Sequence, residues 1–272
     1  MLEMRSVVAD GGSTAAVALR NVSKRYGHGP TSVLALDGVS LDVARGEFLC
    51  IVGASGCGKS TLLSLVSGLD PATSGDVQVN GRTAFMFQES ALLPWRSAAQ
   101  NVELALKLRG VGRGERRERA RELLATVRLS DFADKMPHEL SGGMRQRVAL
   151  ARALGQDARV LLMDEPFAAL DAITRDVLHD ELTRVWQEAG LTVVFVTHNV
   201  REAVRLGQRV ELMSSRPGRF VRRWLVDIAG PRRIESAEVA ELSREITDDL
   251  RREIRRHATA PGAPVTTSGA PS

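Results

Sequence analysis

The stretch GASGCGKST, Gly53 to Thr61, sets three glycines ahead of a lysine and two hydroxyl residues. Glycine lets a backbone turn its N–H groups onto phosphate oxygens, and a helix starting just after adds partial positive charge. The spacing G-x-x-x-x-G-K-S follows an apolar run, Phe48 to Val52, and precedes a helical pattern, which is the context a polyphosphate loop requires. In such a loop Lys59 reaches the β- and γ-phosphates of a nucleotide and Ser60 holds Mg²⁺. The metal needs a further carboxylate at the end of a neighbouring buried strand. VLLMDEP supplies one: Asp164 is placed to hold Mg²⁺ through water, and Glu165 beside it can accept a proton from an attacking water.

Two more polar residues end apolar runs. Gln88 follows AFMF, and His198 follows VVFVT. Taken singly, a glutamine at a strand end is a solvated cap and a histidine there is structural. At the carboxyl edge of a parallel sheet, however, strand ends converge on a ligand crevice. There Gln88 can bind the metal or the attacking water, and His198 can hydrogen-bond the γ-phosphate. A second glycine pair, in LSGGMRQR, also opens a helical pattern. It offers Ser141, the N–H groups of Gly142 and Gly143, and a helix N-terminus, but it lacks a lysine and a long loop. Alone it builds no tight phosphate cradle.

These residues need a scaffold. VALRNVSKRY and VLALDGVSLDVARGEFLCIVG read as an antiparallel strand layer leading into a buried strand at Phe48 to Val52. KSTLLSLVSGL has helical spacing, and short strands follow at DVQVN and TAFMFQ. From about Ser97 to Ala158 the pattern becomes helical, in AAQNVELALKL, RERARELLATV and GGMRQRVALARAL, and reads as an inserted subdomain. The core resumes with RVLLMDEP, a helix from about Ala172 to Glu188, and the strand LTVVFVTH. Strand, helix and strand in that order imply a parallel sheet. A C-terminal strand and helix are expected at about 217–256. Residues 1–15 and 257–272, rich in small residues, Gly, Pro and Ser, read as disordered tails.

Composition bounds the class. The chain has 272 residues, 43% hydrophobic and 26% charged, which suits a soluble globular protein with a sizeable core. Its longest apolar runs fall far short of the ~20 residues needed to cross a bilayer, and no charged-then-apolar leader opens it. The 37 Lys and Arg against 33 Asp and Glu give a net charge of +4, with arginines alternating with glutamates at helical spacing. That favours a salt-bridged, solvated face over a nucleic-acid patch. Cys50 and Cys57 lack zinc-site spacing, fit a reduced cytoplasmic setting, and are given no role; Cys57 fits a tight turn by its size.

The whole set resembles the ATP-binding subunit of an ABC transporter, over about Val17 to Arg216. In order, GASGCGKST matches the Walker A segment, MFQES the Q-loop, LSGGMRQR the signature, LLMDEP the Walker B strand, AALD the D-loop and VTH the H-loop. The resemblance implies an α/β fold: a P-loop NTPase (RecA-like) core with a parallel sheet, an antiparallel β layer and an inserted, mostly helical subdomain. It implies ATP and Mg²⁺ as cofactors, held by Gly53, Ala54, Ser55, Gly56, Cys57, Gly58, Lys59, Ser60 and Thr61, with Gln88 and Asp164 completing the metal site. Tyr26 would stack on adenine, or merely close a hairpin. Gln88 would sense the γ-phosphate, Glu165 would be the general base and His198 the switch residue. Ser141, Gly142 and Gly143 would meet the γ-phosphate on a second copy of the chain, and Asp171 would tie the two sites together. Ala168 stands where many members have serine, and Asn199 where aspartate is commoner; altered coupling or rate is expected, with hydrolysis kept.

Longer segments, MFQESALLPWRSAAQNVELALKLRGV, DEPFAALDAITR and MSSRPGRFVRRWLVDI, look like the nitrate, sulfonate and taurine branch of bacterial importers. That branch implies two integral-membrane permease subunits, a periplasmic or lipoprotein solute-binding protein acting indirectly, and a peripheral location on the cytoplasmic face of the membrane. Leu92, Leu93 and Trp95 would grip a permease helix, or else pack their loop onto its own subdomain. The other readings are a soluble ABC-type ATPase acting on nucleic acid or ribosomes, and an exporter's ATPase. No nucleic-acid partner is expected.

Overall fold

A computed structural model describes residues 15–258 apart from residue 231. The tails read as disordered lie, for residues 1–14 and 259–272, outside the described residues. Among the described residues nine strands form two sheets. β1 (Ala15–Tyr26) lies between β2 (Val33–Ala44) and β4 (Ser74–Val79), antiparallel to both. The larger sheet runs β5 (Thr83–Met86), β6 (Val160–Asp164), β7 (Thr192–Thr197), β3 (Phe48–Gly53), β8 (Arg209–Met213), β9 (Phe220–Leu225). Its first five strands are parallel. β9 runs antiparallel to β8 at the edge, so the sheet is mixed where a parallel one was expected.

The strand sequences explain the layering. Side chains alternate across a strand, so a strand covered on both faces must be apolar throughout. In β3, Phe48, Cys50 and Val52 face a core shared with the helices after β5, while Leu49 and Ile51 face one shared with the antiparallel sheet and α1 (Lys59–Ser67). β6 and β7 divide the same way, Leu161, Met163, Val193 and Phe195 against Val160, Leu162, Val194 and Val196.

Three helices, α2 (Ala98–Leu108), α3 (Arg113–Thr126) and α4 (Gly142–Leu154), come between β5 and β6. α2 opens on a capping box: Ser97 accepts from the Gln100 N–H, and the Gln100 side chain accepts from the Ser97 N–H. α5 (Ala172–Ala189) joins β6 to β7, and α6 (Val200–Leu206) joins β7 to β8. α7 (Ala237–Ala258) lies by β9 and α6, with Glu245 accepting from Arg222 and from the Trp224 indole.

The sequence reading assigned no element to α6 or β8. α6 is too short for a helical period to show. β8 carries Arg209 and Glu211 in a strand buried along its whole length. Arg209 pairs with Glu47 at 2.6 Å and with Glu211 at 3.1 Å, and Arg223 on β9 pairs with Glu211 at 2.6 Å. Each charge has a partner, so the strand tolerates burial that its sequence argues against. No helix among the described residues is long and apolar enough to cross a membrane.

Candidate functional site

The carboxyl ends of β3 and β6 open into one cleft. It is about 560 Å³ in volume and is lined by Tyr26, Ser55, Gly56, Gly58, Lys59, Ser60, Thr61, Gln88, Asp164 and Glu165, with Val33, Ala35 and Arg216. Residues separated by more than a hundred positions thus meet where the strand ends predicted they would.

The glycine loop is shaped by close approach. Gly58 has φ 105°, and a Cβ there would lie 2.8 Å from a Leu36 methyl and 2.9 Å from the Ala35 carbonyl. Only glycine fits both the backbone and the space. Lys59 is buried and donates from Nζ to the carbonyls of Gly53, at 2.9 Å, and Ala54, at 3.0 Å. Gly53 and Ala54 therefore form the floor under the lysine. Cys57 is buried beneath the loop, its thiol pushed up by burial and drawn partly back by Lys59. Its side chain does not line the cleft, so it is not among the residues that would touch a nucleotide there, and its burial suits its reading as a residue that fits a tight turn by size.

Asp164, at the end of β6, has its carboxyl raised by burial, against the Ser60 hydroxyl that donates to it. A half-buried carboxylate facing a hydroxyl at a helix start, with Gln88 on the same cleft, is a donor set of hard oxygens suited to Mg²⁺. Glu165 comes next, with φ 45°, in a left-handed region that a non-glycine side chain rarely adopts. Its N–H is tied to the Val196 carbonyl at 2.9 Å, which holds the turn. Such a conformation costs about 1–3 kcal/mol and persists only where its surroundings enforce it. The outcome is geometric: Glu165 Oε2 lies 2.8 Å from His198 Nδ1. His198 stands beside the cleft through that contact.

Tyr26, 42% exposed, presents its ring at the cleft mouth. Its hydroxyl donates to Asp70 at 2.8 Å, and Lys24 lies 4.9 Å above the ring centroid. Asp70 is held below the usual carboxylate range, first by its bond from Lys24 and then by that from Tyr26.

The remaining predicted residues lie apart from the cleft. Ser141 caps α4, its hydroxyl accepting from the Met144 N–H at 3.2 Å. Gly142 and Gly143 begin the helix. A Cβ on Gly143 would lie 2.3 Å from the Thr174 methyl on α5. Asp171 caps α5, accepting from the Thr174 N–H at 2.9 Å, and its carboxyl is lowered by bonds from Thr174. The second glycine pair and the AALD segment thus adjoin each other and not the chain's own glycine loop. Asn199 caps α6, accepting from the N–H groups of Arg201 and Glu202. Asparagine caps as well as aspartate, so this departure keeps its local role.

Beyond Gln88, Leu92 is half-buried against the core while Trp95 is 69% exposed. The loop is pinned by buried Asn101, which bonds the Leu93 N–H and the carbonyls of Leu93, Arg96 and Ser97. Of the two sequence readings, packing describes Leu92, and Trp95 is left facing out.

Two residues escaped the sequence reading. Arg216 donates from Nε to the Gly56 carbonyl at 3.2 Å and lines the cleft. Gln146 donates from Nε2 to the Gln88 carbonyl at 2.8 Å. Arg216 lies far along the chain in a turn, and no spacing rule links it to the glycine loop. Gln146 sits within LSGGMRQR, so its motif was visible but its partner was not.

Comparison with known proteins agrees with this geometry. A family model described as ABC transporter matches residues 36–168. An uncharacterized ABC transporter ATP-binding protein of Methanocaldococcus jannaschii is 43% identical over 244 residues, covering 87% of this chain and 91% of its own. A taurine import ATP-binding protein of Rhizobium johnstonii is 45% identical, covering 84% and 94%, and an aliphatic sulfonates import ATP-binding protein of Mesorhizobium japonicum is 47% identical, covering 86% and 88%. Among solved structures, a dimeric ATP-binding cassette in a post-hydrolysis state bound to ADP and Pi superposes with a TM-score of 0.70 at 36% identity, over 78% of this chain and all of that one. By its motifs, its cleft and these relatives, the chain belongs to the ABC transporter ATP-binding family.

Proposed function

We propose that this chain is the ATP-hydrolysing subunit of an importer for a small anion of the nitrate, sulfonate or taurine type, working as a dimer beneath two membrane permease subunits. The observation that carries the hydrolytic part is the single cleft in which Lys59, Ser60, Asp164 and Glu165 meet. Taurine, sulfonate and nitrate import ATP-binding proteins among the relatives support the transport role.

Each residue has a task that its surroundings suit. Lys59, fixed by the loop carbonyls, supplies positive charge to the β- and γ-phosphates. The loop N–H groups and the start of α1 hold the phosphate oxygens, and Tyr26 offers its ring to adenine. Ser60, Asp164 and Gln88 would hold Mg²⁺, which when bound neutralises charge on the phosphate oxygens. Glu165 takes the proton of the attacking water, with His198 fixing the orientation of its carboxylate. Ser141, Gly142 and Gly143 start a helix away from the chain's own cleft, an arrangement suited to a nucleotide held by a second copy. Exposed Trp95 suits the contact with a permease helix, a solute-binding protein acting from the far side of the membrane.

The test is Glu165→Gln. It is expected to keep ATP affinity and abolish turnover, so that ATP drives the purified variant to a dimer in gel filtration. A monomer with full activity would sink the assignment of the base.

A further inference from the structure

His179 is fully buried on α5, in a part of the molecule that the cleft does not reach. Its Nε2 lies 2.7 Å from Oε1 of Glu202, itself only 4% exposed on α6. Its Nδ1 has no hydrogen-bond partner among the described residues and stands 3.9 Å from Asp176, whose carboxylate pairs with Arg205 at 2.6 Å. The ring's one hydrogen bond is therefore its donation to Glu202.

Glu202 closes a ring around the residue on which hydrolysis depends. Its other carboxylate oxygen accepts from the Thr197 hydroxyl. That hydroxyl oxygen accepts from the Asn199 N–H at 3.0 Å, and the Asn199 side-chain carbonyl accepts from the Glu202 N–H at 3.4 Å. Thr197, Asn199 and Glu202 thus bond one another in a cycle, and His198 is the residue between the first two. Its side chain projects outward to meet Glu165 at 2.8 Å. Buried carboxylates need donors on each oxygen, and a network with one member missing is worse than none. His179 is the only side chain of the network that comes from α5, where Phe167, two residues beyond Glu165, packs on it with ring centroids 5.6 Å apart. It anchors the ring to the element that follows the proposed base.

We propose that His179 is a positioning residue for hydrolysis: through Glu202 and Thr197 it fixes the backbone on both sides of His198 and so sets that imidazole against Glu165. This rests on the role given above to His198. A second layer, Arg205 to Asp176 and Asp180, joins the same two helices at the surface. Only the inner layer reaches the residues that flank His198.

The experiment measures kcat, KM for ATP and fluorescent-nucleotide affinity on the full chain. His179→Leu, which fills the space without a donor, is expected to lower kcat by about tenfold or more while nucleotide affinity stays within about twofold. His179→Gln, whose amide can donate to Glu202, is expected to restore kcat to within about threefold of the parent. In a His198→Ala background the leucine substitution is expected to add no further loss, because the two act on one step. Equal losses in the Leu and Gln variants, a fall in affinity matching that in kcat, or a full additional loss in the His198→Ala background would each overturn the proposal. Should His179→Leu fail to fold, Thr197→Val removes the ring hydroxyl with little change of shape and decides the matter: a lowered kcat supports the ring and a normal one refutes it. Normal turnover in His198→Ala sinks the assignment of His198 itself. Low turnover there, with normal turnover in His179→Leu, sinks only the present inference.

Discussion

Gln146 Nε2 donates to the backbone carbonyl of Gln88 at 2.8 Å, which joins the helix opened by the second glycine pair to the glutamine that lines the nucleotide cleft. Gln146 is buried, and its Oε1 has no partner among the described residues, so the contact is carried by the amide N–H alone. Gln146→Leu is expected to lower ATP turnover roughly fivefold, the equivalent of one ordinary hydrogen bond of about 1 kcal/mol. Steady-state hydrolysis checks this, and unchanged turnover would show that Gln88 is held by other means.

The raised carboxyl of Asp164 predicts a pH dependence. Burial is the main cause, and the Ser60 hydroxyl opposes it. Only the carboxylate holds a cation, so apparent Mg²⁺ affinity in the presence of ATP is expected to fall with pH from a point above the usual carboxylate range. The effect on stability has the opposite sense. The folded state holds this proton more tightly than the unfolded one, so the penalty is absent below the unfolded pKa and complete above the folded one. In chelator, Asp164→Asn is expected to melt above the parent at neutral pH, with the gap closing in acid.

Arg216 offers a direct check on the glycine loop. Its turn is stitched in place: the Gly218 N–H donates to the Ala35 carbonyl at 2.8 Å, and the Ser214 hydroxyl donates to the Pro217 carbonyl at 2.9 Å. Arg216→Ala is expected to weaken ATP binding by roughly threefold to tenfold, through loss of the bond to Gly56 and of a cation at the cleft. Arg216→Lys should lie between the two in a nucleotide titration.

Trp95 is exposed enough that its removal should leave the isolated subunit unharmed. Trp95→Ala is expected to change stability by no more than about 0.5 kcal/mol, as at other surface sites. ATPase activity without membranes should stay near normal while recovery with membrane partners drops. Lost activity in the isolated subunit would place Trp95 in the structural core.

The ion network of β8 predicts a large effect far from the chemistry. Arg209 donates to Glu47, Glu211 and the Asp42 carbonyl, and both glutamates are largely buried. Arg209→Met is expected to destabilise the fold by about 3–5 kcal/mol, because it leaves buried carboxylates short of a partner. Urea unfolding measures it. A loss below about 1 kcal/mol would show that Arg223 alone suffices for Glu211.

The parts legible in the sequence share a physical reason. Phe48 to Val52, Val160 to Met163 and Val193 to Val196 are buried on both faces, so they read as continuous apolar runs, and the chemistry lies at their ends. Asp164, Glu165, Gln88 and the glycine loop could be placed near one another from order alone. β8 was not legible, because Arg209 and Glu211 owe their burial to Glu47 and Arg223, which are distant in the chain or on the next strand. The antiparallel edge of the sheet followed from that omission. Arg216, Gln146 and His179 were missed for the same reason: each acts through a backbone carbonyl or a buried carboxylate that no motif spacing encodes.

The fit of Gly143 against Thr174 has a consequence for timing. With no Cβ on the glycine, the start of α4 lies directly against Thr174 at the start of α5, so the two helix starts are packed as one edge. If both edges serve a nucleotide on a second copy, they arrive there in one movement, and a half-seated encounter with only one edge engaged would first have to prise the two helices apart. On that reading the single missing methyl would couple the two edges, so that they engage each nucleotide together.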